Sequence, residues 1–200
     1  REFRAVVRSM NALAMRVRQM LEDESSRLEQ LRREAHHDPV TGLLNRSHFL
    51  ARVQTTLARE DAGAEGILVI ARLLDLHELN RGQGWAVMDT LIKRFADALR
   101  AMAPPDAEWI FGRLNGSDFA VLAPGEDDAG ALARRVQEAL QMLARELDLQ
   151  AVCHLPAAAT PYQHGDQLSR VLARVDVALA NAVAGGGDTV QVAGMEQAPD

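Results

Sequence analysis

The chain has 200 residues, with 22 Lys and Arg against 28 Asp and Glu and a formal net charge of −6; with no long basic run, this argues against nucleic acid as a partner. Hydrophobic residues make up 48% of the chain and aromatic residues 4%, so the length suits one domain plus an appendage, with a core of Leu, Val, Ala and Met. A single cysteine, Cys153, excludes an internal disulfide framework and fits a reducing compartment, and no stretch approaches the roughly 20 apolar residues of a membrane span.

Residues 1–36 carry their own pattern. Apolar side chains fall at Phe3, Val6, Met10, Leu13, Val17 and Met20, and the spacing restarts at Leu21, Leu28, Leu31 and Ala35 with no Pro or Gly between. This predicts one long helix with a coiled-coil seam that runs through Val17, Leu21, Leu28, Leu31 and Ala35. The four-residue offset at Val17–Leu21 is a stutter, which locally unwinds a supercoil. An amphipathic helix packed on its own domain would show the same stripe. The charged stretch Arg27–Glu34 before the globular part favours the coiled coil, and with it a homodimer paired through this helix.

The remaining elements alternate. Helices are expected at Arg46–Arg59, Trp85–Met102, Asp127–Leu147 and Asp166–Val183. The second carries Val87, Leu91, Phe95 and Leu99 on one stripe and ends at Pro104-Pro105. Strands are expected at Ile67–Leu74, Trp109–Gly112, Phe119–Ala123 and Thr189–Val192, with Ala151–Ala158 a strand or irregular edge. Asn115-Gly116 between the two central apolar runs reads as a tight hairpin turn supplied with positive φ angles. A central hairpin among alternating helices and strands gives an α+β fold with a ferredoxin-like mixed sheet. Gly185–Gly187 closes the last helix, and residues 194–200 read as a linker. Six histidines show no metal-ligand spacing.

Two segments carry a family resemblance. Asp38-Pro39-Val40-Thr41-Gly42-Leu43-Leu44-Asn45-Arg46 is close to Asp-x-Leu-Thr-Gly-Leu-x-Asn-Arg, the opening of GGDEF domains. Arg113-Leu114-Asn115-Gly116-Ser117-Asp118-Phe119 resembles their signature hairpin, Arg-x-Gly-Gly-Asp/Glu-Glu-Phe. The resemblance covers about residues 36–193 and implies a nucleotidyl cyclase-like sheet with flanking helices. In diguanylate cyclases of this family, two metal ions hold the triphosphate of GTP and activate the ribose hydroxyl. Mg²⁺ requires hard oxygen ligands, and a two-metal site requires facing carboxylates.

The family's positions carry over residue by residue. The third signature position, an acid in the family, is Ser117, and the adjacent acid is Asp118. Anchoring the first-strand pattern on Leu79-Asn80 and Gly84 places the family's other metal-binding carboxylate at Arg72. The resemblance therefore implies lost metal ligands at Arg72 and Ser117, no metal or other cofactor, and no catalysis. Asp75, three residues beyond Arg72, has an odd offset that puts it on the opposite face of a strand. Asn80 and Asp89 match the residues that hydrogen-bond guanine; alone, they also read as a turn residue and a solvated helix residue. The family's phosphate-binding Lys and Arg fall on Val183 and Gly187, and its Tyr on Ala180. The feedback slot for cyclic di-GMP, Arg-x-x-Asp, here reads Asp106-Ala107-Glu108-Trp109.

The segment Glu2–Leu13, with Met10-Asn11-Ala12-Leu13, resembles the second helix of HAMP modules, which relay signals from membrane-spanning receptors. Together these features resemble inner-membrane cyclic di-GMP receptors of the LapD type, in which a HAMP module, a GGDEF domain and a downstream EAL domain control surface adhesion and biofilm. The chain begins at Arg1 rather than Met and reads as a piece of a longer protein. The expectation is a HAMP-like and signalling helix (1–36), a degenerate GGDEF domain (37–193) and a linker (194–200), on the cytoplasmic face of a bacterial inner membrane. The membrane enters only through the parent protein. Two alternatives stay open: a GTP-binding or weakly active cyclase domain regulating a neighbouring EAL phosphodiesterase domain, and a passive dimerisation unit.

Overall fold

The computed structural model describes residues 2–60 and 65–194. The chain divides into two compact units, Arg1–His37 and Asp38–Asp200. The first is helix α1 (Glu2–His36), 35 residues without a break and with no buried residue. Its apolar seam, including Met10, Leu13, Val17, Leu21, Leu28 and Leu31, is exposed along its length. Helical propensity alone does not keep so long an apolar stripe in water, and such a face is a packing surface. No helix among the described residues is long and apolar enough to cross a membrane.

The second unit runs α2 (Arg46–Leu57), β1 (Gly66–Arg72), α3 (Leu76–Gln83), α4 (Trp85–Ala101), β2 (Ile110–Arg113), β3 (Asp118–Pro124), α5 (Ala129–Glu146), β4 (Ala157–Tyr162), α6 (Leu168–Gly185) and β5 (Val190–Val192). The five strands lie in the order β2-β3-β1-β4-β5. All neighbours are antiparallel except β4 and β5, so the sheet is mixed, as expected of an α+β nucleotidyl cyclase-like fold. Successive side chains of a strand face opposite ways, and β1 serves two cores. Ile67, Val69 and Ala71 join Phe119, Val121 and Ala123 under α4 and α5. Leu68 and Ile70 join Ala120 and Leu122 under α2 and α6. The same alternation places Arg72 and Asp118 on the α6 side of the sheet.

Three expectations are corrected. Val87 is 39% exposed, and α4 buries Met88, Leu91, Ile92, Phe95, Ala96 and Leu99 instead. A strict four-residue step drifts about 40° around a helix each time, so by Val87 the stripe has left the core. Residues 151–156 are irregular and the strand is Ala157–Tyr162. There the backbone divides its bonds between the end of β1 and side chains: Arg72 N donates to the Pro156 carbonyl (3.0 Å) and Leu74 N to the His154 carbonyl (3.0 Å), while Leu155 N donates to Asp188 Oδ1 (2.7 Å), Gln137 Nε2 to the Leu155 carbonyl (2.8 Å) and Gln141 Nε2 to the Cys153 carbonyl (3.1 Å). Finally, β1 stops at Arg72, and α3, not anticipated from the sequence, fills Leu76–Gln83. Beyond Gly194, the expected linker lies outside the described residues.

Candidate functional site

The site is the loop joining β2 to β3. The Asn-Gly pair does not act through positive φ: neither Asn115 nor Gly116 is among the described residues with a left-handed backbone. The Asn115 side chain builds the turn instead. Its Oδ1 accepts from Ser117 N (2.9 Å), Asp118 N (2.8 Å) and Ser117 Oγ (3.2 Å), an Asx-type turn. Below it, Leu114 N donates to the Asp118 carbonyl (2.8 Å), and Leu73 N to the Ser117 carbonyl (2.8 Å). A Cβ on Gly116 would meet only Leu76 Cδ2, at 3.9 Å, so the fold itself does not require glycine there.

Arg72 and Asp118 are directly paired across β1 and β3. The guanidinium is bidentate, Nε to Oδ1 and Nη2 to Oδ2, both at 2.7 Å. The Asp118 side chain is 8% exposed and that of Arg72 40%. The hydrogen bond to Asp118 raises the Arg72 pKa above its ordinary value against the opposing effect of burial, with help from the charges of Asp118 and Asp176. Asn115 Nδ2 (2.9 Å) also donates to the Asp118 carboxylate, and the one Ser117 hydroxyl proton is shared between Asn115 Oδ1 (3.2 Å) and Asp118 Oδ1 (3.4 Å).

Arg113, which sequence reasoning left without a role, anchors the loop from the other side. Its Nη2 (2.7 Å) and Nε (3.1 Å) donate to the Gly116 carbonyl, its Nη1 to Asp38 Oδ2 (3.2 Å), and its guanidinium lies 5.7 Å from the Phe119 ring centroid. Asp38 is itself the hub of the turn opening the globular unit. Its Oδ2 accepts from Thr41 N (2.8 Å) and Thr41 Oγ1 (2.7 Å), Gly42 follows at φ 68°, and Arg100 Nη2 donates to the Thr41 carbonyl (2.8 Å). Burial pushes the Asp38 carboxyl up. The two Thr41 hydrogen bonds and the Arg113 charge outweigh it and hold the group below its ordinary 3.8. The available signal was an arginine closing a half-buried strand two residues before a turn, with a lone acid at the opening motif.

The structure brings Arg72, Asn115, Ser117 and Asp118 together. Asn80, on α3, is 7% exposed, and its amide makes no hydrogen bond with the described residues. Asp89, one turn into α4, is half-buried and likewise unpaired. Asp75 lies beyond the strand in a left-handed turn (φ 52°) at the start of α3, so the strand-offset argument does not apply to it. Val183 packs on the α2/α6 core and Gly187 sits in a left-handed turn, so neither offers a phosphate ligand. In the feedback slot, Glu108 pairs with Arg59 and Trp109 is buried under the Arg135 guanidinium.

The donor set does not suit Mg²⁺. No group of three or more His, Cys, Asp or Glu stands in metal-binding geometry among the described residues. The one acid in the loop already accepts from Arg72, Asn115 and Ser117, whereas Mg²⁺ needs free hard oxygens.

A mixed five-stranded sheet with helices on both faces and a signature loop between its β2 and β3 strands defines a nucleotidyl cyclase-like domain. Residues 35–189 match the family described as diguanylate cyclase, GGDEF domain, and the chain belongs to that family. It is 30% identical over 193 residues to the diguanylate cyclase DgcP of Pseudomonas aeruginosa, covering 92% of this chain and 28% of that protein. Over 103 residues it is 34% identical to an uncharacterized Streptomyces griseus protein, covering 51% of this chain and 43% of that one. The chain thus spans less than half the length of these relatives. The coiled coil and GGDEF domain of Caulobacter crescentus DgcB, in complex with c-di-GMP, superimposes with a TM-score of 0.75 at 23% identity, over 92% of this chain and all of that one. The S helix-GGDEF-EAL part of Vibrio cholerae LapD, bound to c-di-GMP, gives 0.67 at 19% identity over 90% of this chain and 42% of that one.

Proposed function

We propose that this chain is a GGDEF domain that makes no cyclic di-GMP and relays a signal in a larger receptor. The observation that carries the reading is the in-register Arg72–Asp118 pair beside Ser117. A cation stands where the resemblance implies a metal-binding carboxylate, and the second such carboxylate is a hydroxyl. Relay is supported by the exposed seam of α1 and by the ties from Asp38 through Arg113 to the loop. In this reading residues 1–36 are the input helix, paired in a homodimer, and 37–193 form an autoinhibitory relay domain acting on a downstream EAL domain. The parent is a HAMP-containing, LapD-like receptor at the inner membrane that governs adhesion and biofilm; the likeness in fold to the S helix-GGDEF-EAL part of LapD supports that arrangement. The test is incubation of the purified chain with GTP and Mg²⁺ or Mn²⁺, with chromatography for cyclic di-GMP. The expected yield equals a no-protein control, and turnover above it defeats the reading.

A second reading, GTP sensing by a non-catalytic domain, is favoured by one observation: the Asn80 amide makes no hydrogen bond with the described residues and still reaches solvent, although the residue is 7% exposed. An amide open to a ligand, with the Asp89 carboxylate, complements a guanine edge. Calorimetric titration with GTP and ATP, for the chain and its Asn80→Ala variant, decides it. Binding selective for GTP and lost in the variant supports this reading.

A further inference from the structure

Asp118 does not lack a cation: it holds one that is covalently attached. The geometry points to the Arg72 guanidinium as a tethered replacement for a divalent metal, holding the signature loop in one conformation without metal or nucleotide. Three features of the pair carry this inference.

The first is saturation. An ionised carboxylate offers about four acceptor sites; three of those of Asp118 receive Arg72 Nε and Nη2 and Asn115 Nδ2, and the Ser117 hydroxyl proton is shared between the fourth and Asn115 Oδ1. The second is placement. The Asp118 side chain is 8% exposed while that of Arg72 is 40% exposed, so the carboxylate has little open surface left for an ion to reach. The third is connectivity. The Asn115 amide that donates to Asp118 also accepts from Ser117 N and Asp118 N through its Oδ1, so orienting the carboxylate also orients the turn. Asp176 adds its field to Arg72 from α6. A fork-shaped guanidinium suits such a task, since it matches both carboxylate oxygens at once and never loses its charge. Mg²⁺ would have to displace it and shed its own waters to reach a carboxylate already neutralised.

The inference rests on the same pair as the reading above but not on the relay role, and the two fail in different assays. It predicts a loop indifferent to divalent cations. Amide hydrogen exchange of Leu114, Ser117 and Asp118, with thermal unfolding, is followed on the whole chain in chelator, in Mg²⁺ alone and in Mn²⁺ alone. In the unmodified chain the three conditions coincide. Arg72→Ala speeds exchange at Ser117 and Asp118 by roughly ten- to a hundredfold, the range for losing hydrogen bonds to a charged group. Arg72→Lys recovers only part of the protection, because an ammonium does not fork. Arg72→Asp sets two carboxylates opposite each other; its loop is open in chelator and regains protection with Mn²⁺ in a concentration-dependent way. Mn²⁺ protection of the unmodified loop overturns the inference, as does an Arg72→Ala loop exchanging at the unmodified rate or an Arg72→Asp loop that Mn²⁺ leaves open. If Arg72→Asp does not fold, the Ala and Lys variants decide. Cyclic di-GMP formation by the unmodified chain would defeat the catalytic reading, whereas Mn²⁺ protection without turnover defeats only this one.

Discussion

Arg113→Met removes the guanidinium that ties the hairpin to the opening turn and keeps an apolar stem of similar length. Three interactions disappear together: two hydrogen bonds to the Gly116 carbonyl, the pairing with Asp38, and the contact with the Phe119 ring. The Arg113 side chain is 9% exposed and that of Asp38 17%, so this is not a surface ion pair. Hydrogen bonds to a charged group are worth about 1.5–3 kcal/mol, and a partly desolvated cation–π contact about 0.5–2 kcal/mol. Asp38 keeps both Thr41 bonds, so it is not stranded and the full cost of breaking a buried pair does not apply. The expected loss is about 2–4 kcal/mol. For a unit of this size that is about 5–15 °C in Tm, at about 2–4 °C per kcal/mol. Urea unfolding followed through buried Trp109 should show a lower midpoint with an unchanged slope. Asp38→Asn and the double variant complete a cycle whose coupling should be about 0.5–3 kcal/mol. A loss below about 0.5 kcal/mol, ordinary for an exposed position, would refute the account of Arg113 as an internal tie.

Four further outcomes are expected. The Asp38 carboxyl is held below its unfolded value of 3.8, so its contribution is complete above that pH and is lost as pH falls through the lower folded value; acid unfolding curves should be shallower below pH 3.8 in Asp38→Asn. Ser117→Glu alone should give no cyclase activity, because the new carboxylate falls beside the Arg72 cation, and a charge pair at about 4 Å is worth about 4 kcal/mol at an effective dielectric of 20; cyclic di-GMP from this variant would show Arg72 to be misplaced. Tyr162 Oη is buried without a partner among the described residues, so Tyr162→Phe should hold or raise stability by up to about 1 kcal/mol, read as the urea midpoint; a clear loss would reveal a bond to that hydroxyl. Leu28→Glu with Leu31→Glu should lower dimer content in sedimentation, since each puts an unpaired charge in the seam, whereas Arg32→Glu should not; equal behaviour would make α1 a plain linker.

The sequence by itself determined the elements whose signal is local. Periodicity marked α1, α2, α4, α5 and α6 to within a few residues, an unbroken apolar run marked β1, and Asn115-Gly116 marked the loop, though not how it turns. The motifs Asp38–Arg46 and Arg113–Phe119 were enough to place the chain in its family, and the anchor at Leu79-Asn80 and Gly84 singled out Arg72 as a residue to compare with Ser117. Only the tertiary structure decided what those residues do. Arg72 meets Asp118, 46 residues away, because two antiparallel strands settle in one register. Arg113 meets Asp38, 75 residues away, because the turn opening the globular unit folds back beside β2. α3 was invisible because only Leu76 and Leu79 of its eight residues are apolar, too few for a stripe. The 151–156 segment keeps two bonds to β1 and the residues just past it but no regular ladder, because Gln137, Gln141 and Asp188, brought in by other elements, bond the Leu155 and Cys153 backbone between them. Local pattern records which residues prefer a helix, a strand or a turn, whereas the pairing of charges and amides across the sheet depends on register and layer packing, which no window of sequence contains.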